Sequence, residues 1–369
     1  MSIFDRKPVL RWLAPAAALL VVGGASGIVA VTATADDRLP SRSAAQLLVD
    51  LQETKVDAMS GTVVQTSNLG IPDLPGLGGG GDASLTSLIS GTHTLDVWYS
   101  GPDKARLRVQ GNLDETDVIK NGSDVWTWAY KEKEATHRTL SSDEQGTGEK
   151  RLPAEMPKTP QEAAEQALKA IDPTTKVSTD GTPKVAGRAA YELVLEPRDD
   201  NSLITQVRIA IDGTEHIPLR VEVLAAKAQK VFEVGFTSVD FDRPDDAQFT
   251  FNPPPGTKVT KVAPEQKRTA DRKAPSKEEI EAEKEAFAKN TKIVGQGWST
   301  VVVTTMDAPQ SDEPDAQFDQ VLNSLPKVSG TWGSGRLLSG TAFSAVVTDD
   351  GRVAAGSVEP KLLYDALAK

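Results

Sequence analysis

The sequence predicts an α+β protein: a curled antiparallel sheet, shaped as a half-open β-barrel with a helical lid, followed by a small C-terminal α+β domain. Three observations lead there. Between residues 61 and 251, apolar and polar residues alternate in a long series of segments, the pattern of strands with one buried and one wet face. Turn-forming residues join those segments closely, which makes neighbouring strands antiparallel. A charge-rich stretch over 263–291 then divides this series from a shorter one over 292–369.

The first 35 residues read as an export segment. Arg6, Lys7 and Arg11 precede an uncharged run from Trp12 to Ala35, which Asp36, Asp37 and Arg38 end. Basic residues favour the cytoplasmic side, so the chain after Asp36 is expected outside. The small residues Val-Thr-Ala-Thr-Ala that close the run suit signal-peptide cleavage. The run is also close to the ~20 residues that span a bilayer, so cleavage and retention as an anchor both remain open. Either way the expected place is the cell envelope, secreted or held by an N-terminal anchor. The chain has no cysteine, hence no disulfide framework, thiolate metal site or cysteine lipidation. Its formal net charge of −11 argues against nucleic acid as a partner.

Residues 36–262 are expected to form the main domain. Leu47, Leu48, Leu51 and Val56 recur near helical spacing after Ser41, a candidate N-cap. A second helix is predicted over Thr159–Ile171, with Pro160 early and Ala164, Leu168 and Ile171 along one side. The other segments are strands, with turns at Gly101-Pro-Asp103 and Lys120-Asn-Gly122. Taken as inward, their apolar positions are Leu95, Val97, Tyr99, Leu107, Val109, Trp126, Trp128, Leu193, Val207, Ile209, Val221, Phe232, Val234 and Phe236. Two short, Ala-rich helices cannot cover so broad a face, so a sheet of this size must curl. The inward residues would then line an apolar ligand pocket.

The helix with Leu47-Leu48 and Leu51, the strand start Ser60-Gly-Thr-Val63, the meander and the close Phe249-Thr-Phe-Asn-Pro-Pro-Pro-Gly256 resemble the LolA-like superfamily. That group holds LolA-type lipoprotein carriers, LppX-type lipid carriers and the RseB/MucB sensors of envelope stress. The chain looks like an extended member of actinobacterial type. The resemblance covers roughly residues 41–262. It implies an unclosed barrel with a helical lid over a pocket for acyl chains, and it identifies no single contact residue.

Two features go beyond a minimal carrier. Asn68–Ser90 is a Pro/Gly-rich insertion whose Leu69, Ile71, Leu74, Leu77, Leu85, Leu88 and Ile89 are more apolar than a plain linker would be. It packs on its own barrel, or it serves as a lid or a membrane contact. After the charged linker, in which Ser276 and Glu279 make a capping-box pattern, comes the small domain. It should hold a strand over Trp298–Met306 and a helix carrying Phe318, Val321, Leu322 and Leu325. Strands over Leu337–Thr348 and Arg352–Val358 flank the turn Asp349-Asp350-Gly351, and a last helix runs over Glu359–Ala368. A unit this small is expected to dock on the barrel or on a partner.

No catalytic machinery is visible. His93, His137 and His216 are far apart and lack ligand spacing. His137 follows Lys131-Glu-Lys-Glu134 and is expected to be solvated, and His216 to sit in a turn. Gly78–Gly81 lacks the Lys-Ser/Thr of a phosphate loop, and no nucleophile elbow occurs. No cofactor is expected. The sequence therefore reads as a non-enzymatic lipid- or lipoprotein-binding carrier or receptor. The alternative is an RseB/MucB-like sensor that regulates a membrane-bound partner, such as an anti-sigma factor, through its C-terminal domain.

Overall fold

The computed structural model describes residues 39–70, 88, 90–140, 173–262, 291–305 and 322–368. The export segment, most of the 68–90 insertion, the helix over 159–171, the linker, Met306, Phe318 and Val321 lie outside those residues. Among the described residues, no helix is long and apolar enough to cross a membrane.

The chain opens with helix α1 (Ala44–Glu53), capped by Ser43 rather than Ser41. The Ser43 hydroxyl accepts the Gln46 amide N–H, and the Ser43 amide N–H donates back to the Gln46 side chain, a closed capping box. The sequence reading chose a capping residue type correctly but two positions early, because Ser41 and Ser43 are both suitable and only the second has Gln three residues on.

Strands β1 (Ala58–Ser67), β2 (Gly91–Ser100), β3 (Lys104–Gln110), β4 (Glu115–Asn121), β5 (Asp124–Ala129) and β6 (Glu134–Thr139) form a meander. A second run comprises β7 (Thr175–Thr179), β8 (Lys184–Val185), β9 (Arg188–Pro197), β10 (Ile204–Asp212), β11 (Pro218–Ala225) and β12 (Gln229–Asp240). It joins the first where β12 pairs antiparallel with β1. The strand order is β13-β6-β5-β4-β3-β2-β1-β12-β11-β10-β9-β7, with β8 on β9. The sheet thus ends on two edge strands and does not close into a barrel.

Its curl has a local origin. Pairing shifts between Thr62 and Val63, between Ala210 and Ile211, and between Val223 and Leu224. Such bulges bend the strand and add twist, and all three fall along the stretch from β10 to β1. At the β1–β12 seam, a Cβ on Gly61 would stand 2.3 Å from the Ser238 carbonyl oxygen. Only glycine admits the two backbones that close together.

Strand β13 (Lys258–Val262) corrects the all-antiparallel expectation, since it runs parallel to β6. After β12 the chain crosses β3 and β4 through a 3-10 turn, Asp246–Phe249, and reaches the far edge from the other direction. The Phe249 ring, 1% exposed, anchors that crossing.

A second sheet orders β14 (Thr291–Val294), β15 (Val301–Thr305), β19 (Arg352–Gly356), β18 (Ser344–Thr348), β17 (Gly333–Ser339) and β16 (Lys327–Gly330). Helix α2 (Pro360–Leu367), with Pro360 in its first turn, packs Leu363, Ala366 and Leu367 against Val301, Val303, Val346 and Ala354. The Asp349-Asp350-Gly351 turn joins β18 to β19, with Gly351 at φ +86° as a left-handed turn position requires. The predicted single strand over Leu337–Thr348 is two strands, because the chain reverses at Gly340–Phe343. Trp298 stands in a 3-10 turn before β15, not in a strand.

The second sheet touches the first directly. The Trp298 indole N–H donates to the Thr175 hydroxyl at 2.7 Å, and the Leu203 amide donates to the Ser357 carbonyl at 2.7 Å. The Thr341 amide donates to the Leu69 carbonyl at 2.8 Å.

Candidate functional site

Strand register separates the large sheet into two chemically different faces. On the face that α1 covers, paired positions run Val118–Leu107–Val97, then Val109–Leu95–Val63–Phe236. The same face continues through Val234–Val221–Ile209–Leu193 and Phe232–Val223–Val207–Leu195. The opposite face is charged across β9 to β12. There Glu192 accepts from Arg208 and Arg220, each at 2.9 Å, and Lys230 pairs with Glu222 and Glu233, each at 2.6 Å. Period-two alternation dictates this split, since successive side chains leave a strand on opposite sides.

Of the fourteen residues expected to line one pocket, twelve share the helix face. They fall into three groups. Leu95, Val97 and Val109 are buried in one cluster, with Tyr99, Leu107, Val234 and Phe236 packed against it. Leu193 is fully buried beneath α1 with Leu47, Tyr191 and Ile211, and Ile209 lies partly buried at that cluster's border. Between the two clusters Val207, Val221 and Phe232 are partly exposed. The strip from Val207 and Ile209 to Phe236 is therefore a contiguous, partly covered part of this face.

Trp126 and Trp128 are on the opposite face, which corrects their assignment. Trp126 pairs with Ile119 and His137, and Trp128 with Asp117 and Ala135, the register set that also contains Arg106 and Arg108. Their partners are ring systems from the crossing segment: Phe251 lies 5.2 Å from Trp126 and 5.8 Å from Trp128. On β5 the helix face instead carries Val125, Thr127 and Ala129. Tyr130, two residues past Trp128, lies beyond the strand and is 60% exposed.

His137 is also corrected. Its ring stacks on Trp126 at 4.2 Å and its Nε2 lies 2.6 Å from an Asp124 carboxylate oxygen, so it belongs to this aromatic cover rather than to solvent. His216 does sit in a turn, at φ +54°. His93 reaches the Ser90 carbonyl at 2.7 Å. Among the described residues no group of three or more His, Asp and Glu side chains could hold a metal.

The fourteen expected residues leave out other contributors to the helix face. Gln65 is 3% exposed on it, opposite Val234, and donates to the Leu88 carbonyl at 2.7 Å. This fixes the returning end of the insertion over the buried cluster, against which Leu88 packs. At the end of the same face Val223 packs with Ala225, Val231 and Leu69 around Ala342 of the second sheet. A separate cavity of about 530 Å³ in the second sheet is lined by Asn323, Lys327, Arg336 and Asp349 among others. Its Arg336 is already engaged with the Leu325 carbonyl at 2.8 Å.

Comparison with known proteins gives a family match and several loose structural overlaps. Residues 113–263 match the MucB/RseB N-terminal domain, which is less than half of the chain but takes in β4 to β13. No curated protein matches the chain by sequence. The MucA/MucB complex of Pseudomonas aeruginosa is 14% identical, covers 88% of this chain and 94% of its own, and has a TM-score of 0.39. A conserved protein from Thermus thermophilus is 12% identical over 59% of this chain and 98% of its own, at a TM-score of 0.33. A LolA superfamily protein from Nitrosomonas europaea is 11% identical over 57% and 99%, at a TM-score of 0.22. Overlaps this loose carry no functional implication. Over residues 113–263, then, the chain is similar to the MucB/RseB N-terminal domain.

Proposed function

We propose that this chain is a non-enzymatic, extracytoplasmic binding protein whose half-open sheet holds an acyl chain of a lipid or lipoprotein. The observation that carries the reading is the strip of Val207, Ile209, Val221, Phe232, Val234 and Phe236, contiguous by register yet only partly buried. Apolar surface left half-covered inside a curved face is stabilised by whatever completes its cover. A flexible hydrocarbon chain fits that role, because the strip offers shape and apolar contact but no charged group. In this proposal α1 contributes to its lid, and the basic flank and uncharged run of residues 6–35 direct export.

Native mass spectrometry of the protein from its own host, with titration of a fluorescent fatty-acid probe, tests the reading. Val207→Phe sharpens it. In a filled core the added ring should cost about 1–3 kcal/mol. In an open trough stability should barely change while probe affinity falls severalfold. Strong destabilisation, together with no probe binding and no co-purifying lipid in the unmodified protein, would overturn the proposal.

A sensor reading is favoured by one apolar cluster that the two sheets share. Ala342 of the second sheet shares one apolar cluster with Val223, which belongs to the same face as the strip. Ligand occupancy and the placement of the second sheet would then bias each other, and a membrane-protein partner would bind through 292–369. The proposed units are 36–262 and 292–369, joined by 263–291. Limited proteolysis should cut first between Lys267 and Lys292 and leave the two fragments resistant; first cuts within β9 to β12 would contradict this division.

A further inference from the structure

We propose that the hairpin tips Gly111–Asp114 and Tyr130–Lys133 form a contact site for the interfacial layer of a lipid bilayer. The site is separate from the apolar strip, so either reading can fail alone. Leu113 is 91% exposed and Tyr130 is 60% exposed, the first being the most exposed large apolar side chain described. One such residue on a surface is ordinary. Here two stand together, because β4 pairs with both β3 and β5 and so brings the two tips side by side. The Tyr130 amide donates to the Glu115 carbonyl at 2.9 Å, tying one tip to the other.

The chemistry of the tips selects a bilayer over a protein groove. Leu113 offers a bare aliphatic group at the apex of a two-strand projection. Tyr130 offers a ring with a polar end, the residue type that settles at headgroup level. Lys131 and Lys133 flank it, with long side chains that can keep their charge in water while their stems lie along apolar surface. The nearby charges balance: Asp114 and Glu132 offset the two lysines, while Glu115 pairs with Arg108 and Glu134 with Lys258. Within a chain of net charge −11, this rim is locally neutral, which suits zwitterionic headgroups.

Position adds to the argument. The tips stand at the end of the sheet where Ser67 pairs with Gly91 and Thr94 with Gln110, which is also where the apolar 68–90 insertion leaves and returns. The second sheet meets that end from β7 to the chain just past β1, through Thr175, Leu203, Ala225, Val231 and Leu69. Among the described residues, none of those contacts involves the β3–β6 side of the same end.

The absence of cysteine allows a direct test on the full chain. A single cysteine at Lys131→Cys, labelled with an environment-sensitive fluorophore, is mixed with phosphatidylcholine vesicles carrying a quencher in their acyl region. The expected result is a blue shift with quenching at 131, and neither change for the same label at Lys361→Cys on α2. Moving a leucine out of water favours the contact by about tenfold or more, so Leu113→Asp should remove most of the quenching. With so little packing, that substitution leaves the fold intact, which circular dichroism verifies. A label at 131 that stays in water, or quenching that survives Leu113→Asp, would overturn the proposal.

Discussion

Replacing Asp212 with alanine is expected to destabilise the large sheet by about 3–5 kcal/mol, the cost of stranding one half of a buried ion pair. Asp212 is 1% exposed at the end of β10. Its carboxylate accepts from Arg188 at 2.5 and 3.0 Å, and from the amides of Thr214 and Glu215 at 2.9 and 2.8 Å. One side chain thus ties the start of β9 to β10 and organises the turn into β11. The Arg188 guanidinium, 32% exposed, also lies 4.8 Å from the Phe241 ring. Its partial exposure puts the expectation at the lower end of that range.

Burial alone would raise the Asp212 carboxyl pKa. The Arg188 hydrogen bond and the two backbone amides outweigh it, and the group is held below its ordinary value. A carboxyl with a lowered folded-state pKa contributes stability that is present above its unfolded pKa of about 3.9 and lost as pH falls through the folded value. The gap between the parent protein and Asp212→Ala should therefore be fully open at neutral pH and narrow in acid. Urea unfolding at pH 7 and at successively lower pH measures both. A gap under about 1 kcal/mol at pH 7, the level of an exposed pair, would mean that Asp212 does not organise this corner.

What the sequence revealed was spacing, and spacing located many strands of the large sheet but not β4, β6, β7, β8 or β13. Val207, Ile209 and Ile211 alternate with Arg208 and Ala210, and register keeps the first set on one face along the strand. Alternation cannot tell which of two sets faces the helix when both contain large apolar groups. In β5 the choice lay between Trp126 with Trp128 and Val125 with Thr127, and side-chain size pointed the wrong way. The deciding partner, Phe251, comes from more than 100 residues further along the chain, counting from Trp126. The bulges that curl the sheet were invisible for a related reason. A bulge inserts one residue into a pairing, and pairing is not written in either strand alone. The parallel approach of β13 likewise follows from the route of the crossing segment, not from any pattern within Lys258–Val262.

The two faces make opposite predictions for aromatic deletions, and the larger effect belongs to Trp128. This side chain is 6% exposed and packs near Phe251, on the face opposite the half-covered strip. Trp128→Ala should cost about 3–5 kcal/mol, as large-to-small changes at buried aromatic sites do, and it should loosen the crossing segment that carries Phe249 and β13. Because the cavity opens on the far side of the sheet, affinity for the fatty-acid probe should stay within about twofold under folding conditions, well below the tenfold step that 1.4 kcal/mol represents. Phe232→Ala should behave the other way, with a smaller stability loss from a partly exposed position and a severalfold fall in probe affinity. Thermal unfolding and probe titration on the two variants, run side by side, decide the matter. If Trp128→Ala abolishes binding in a protein that is still folded, the ligand face has been placed on the wrong side of the sheet.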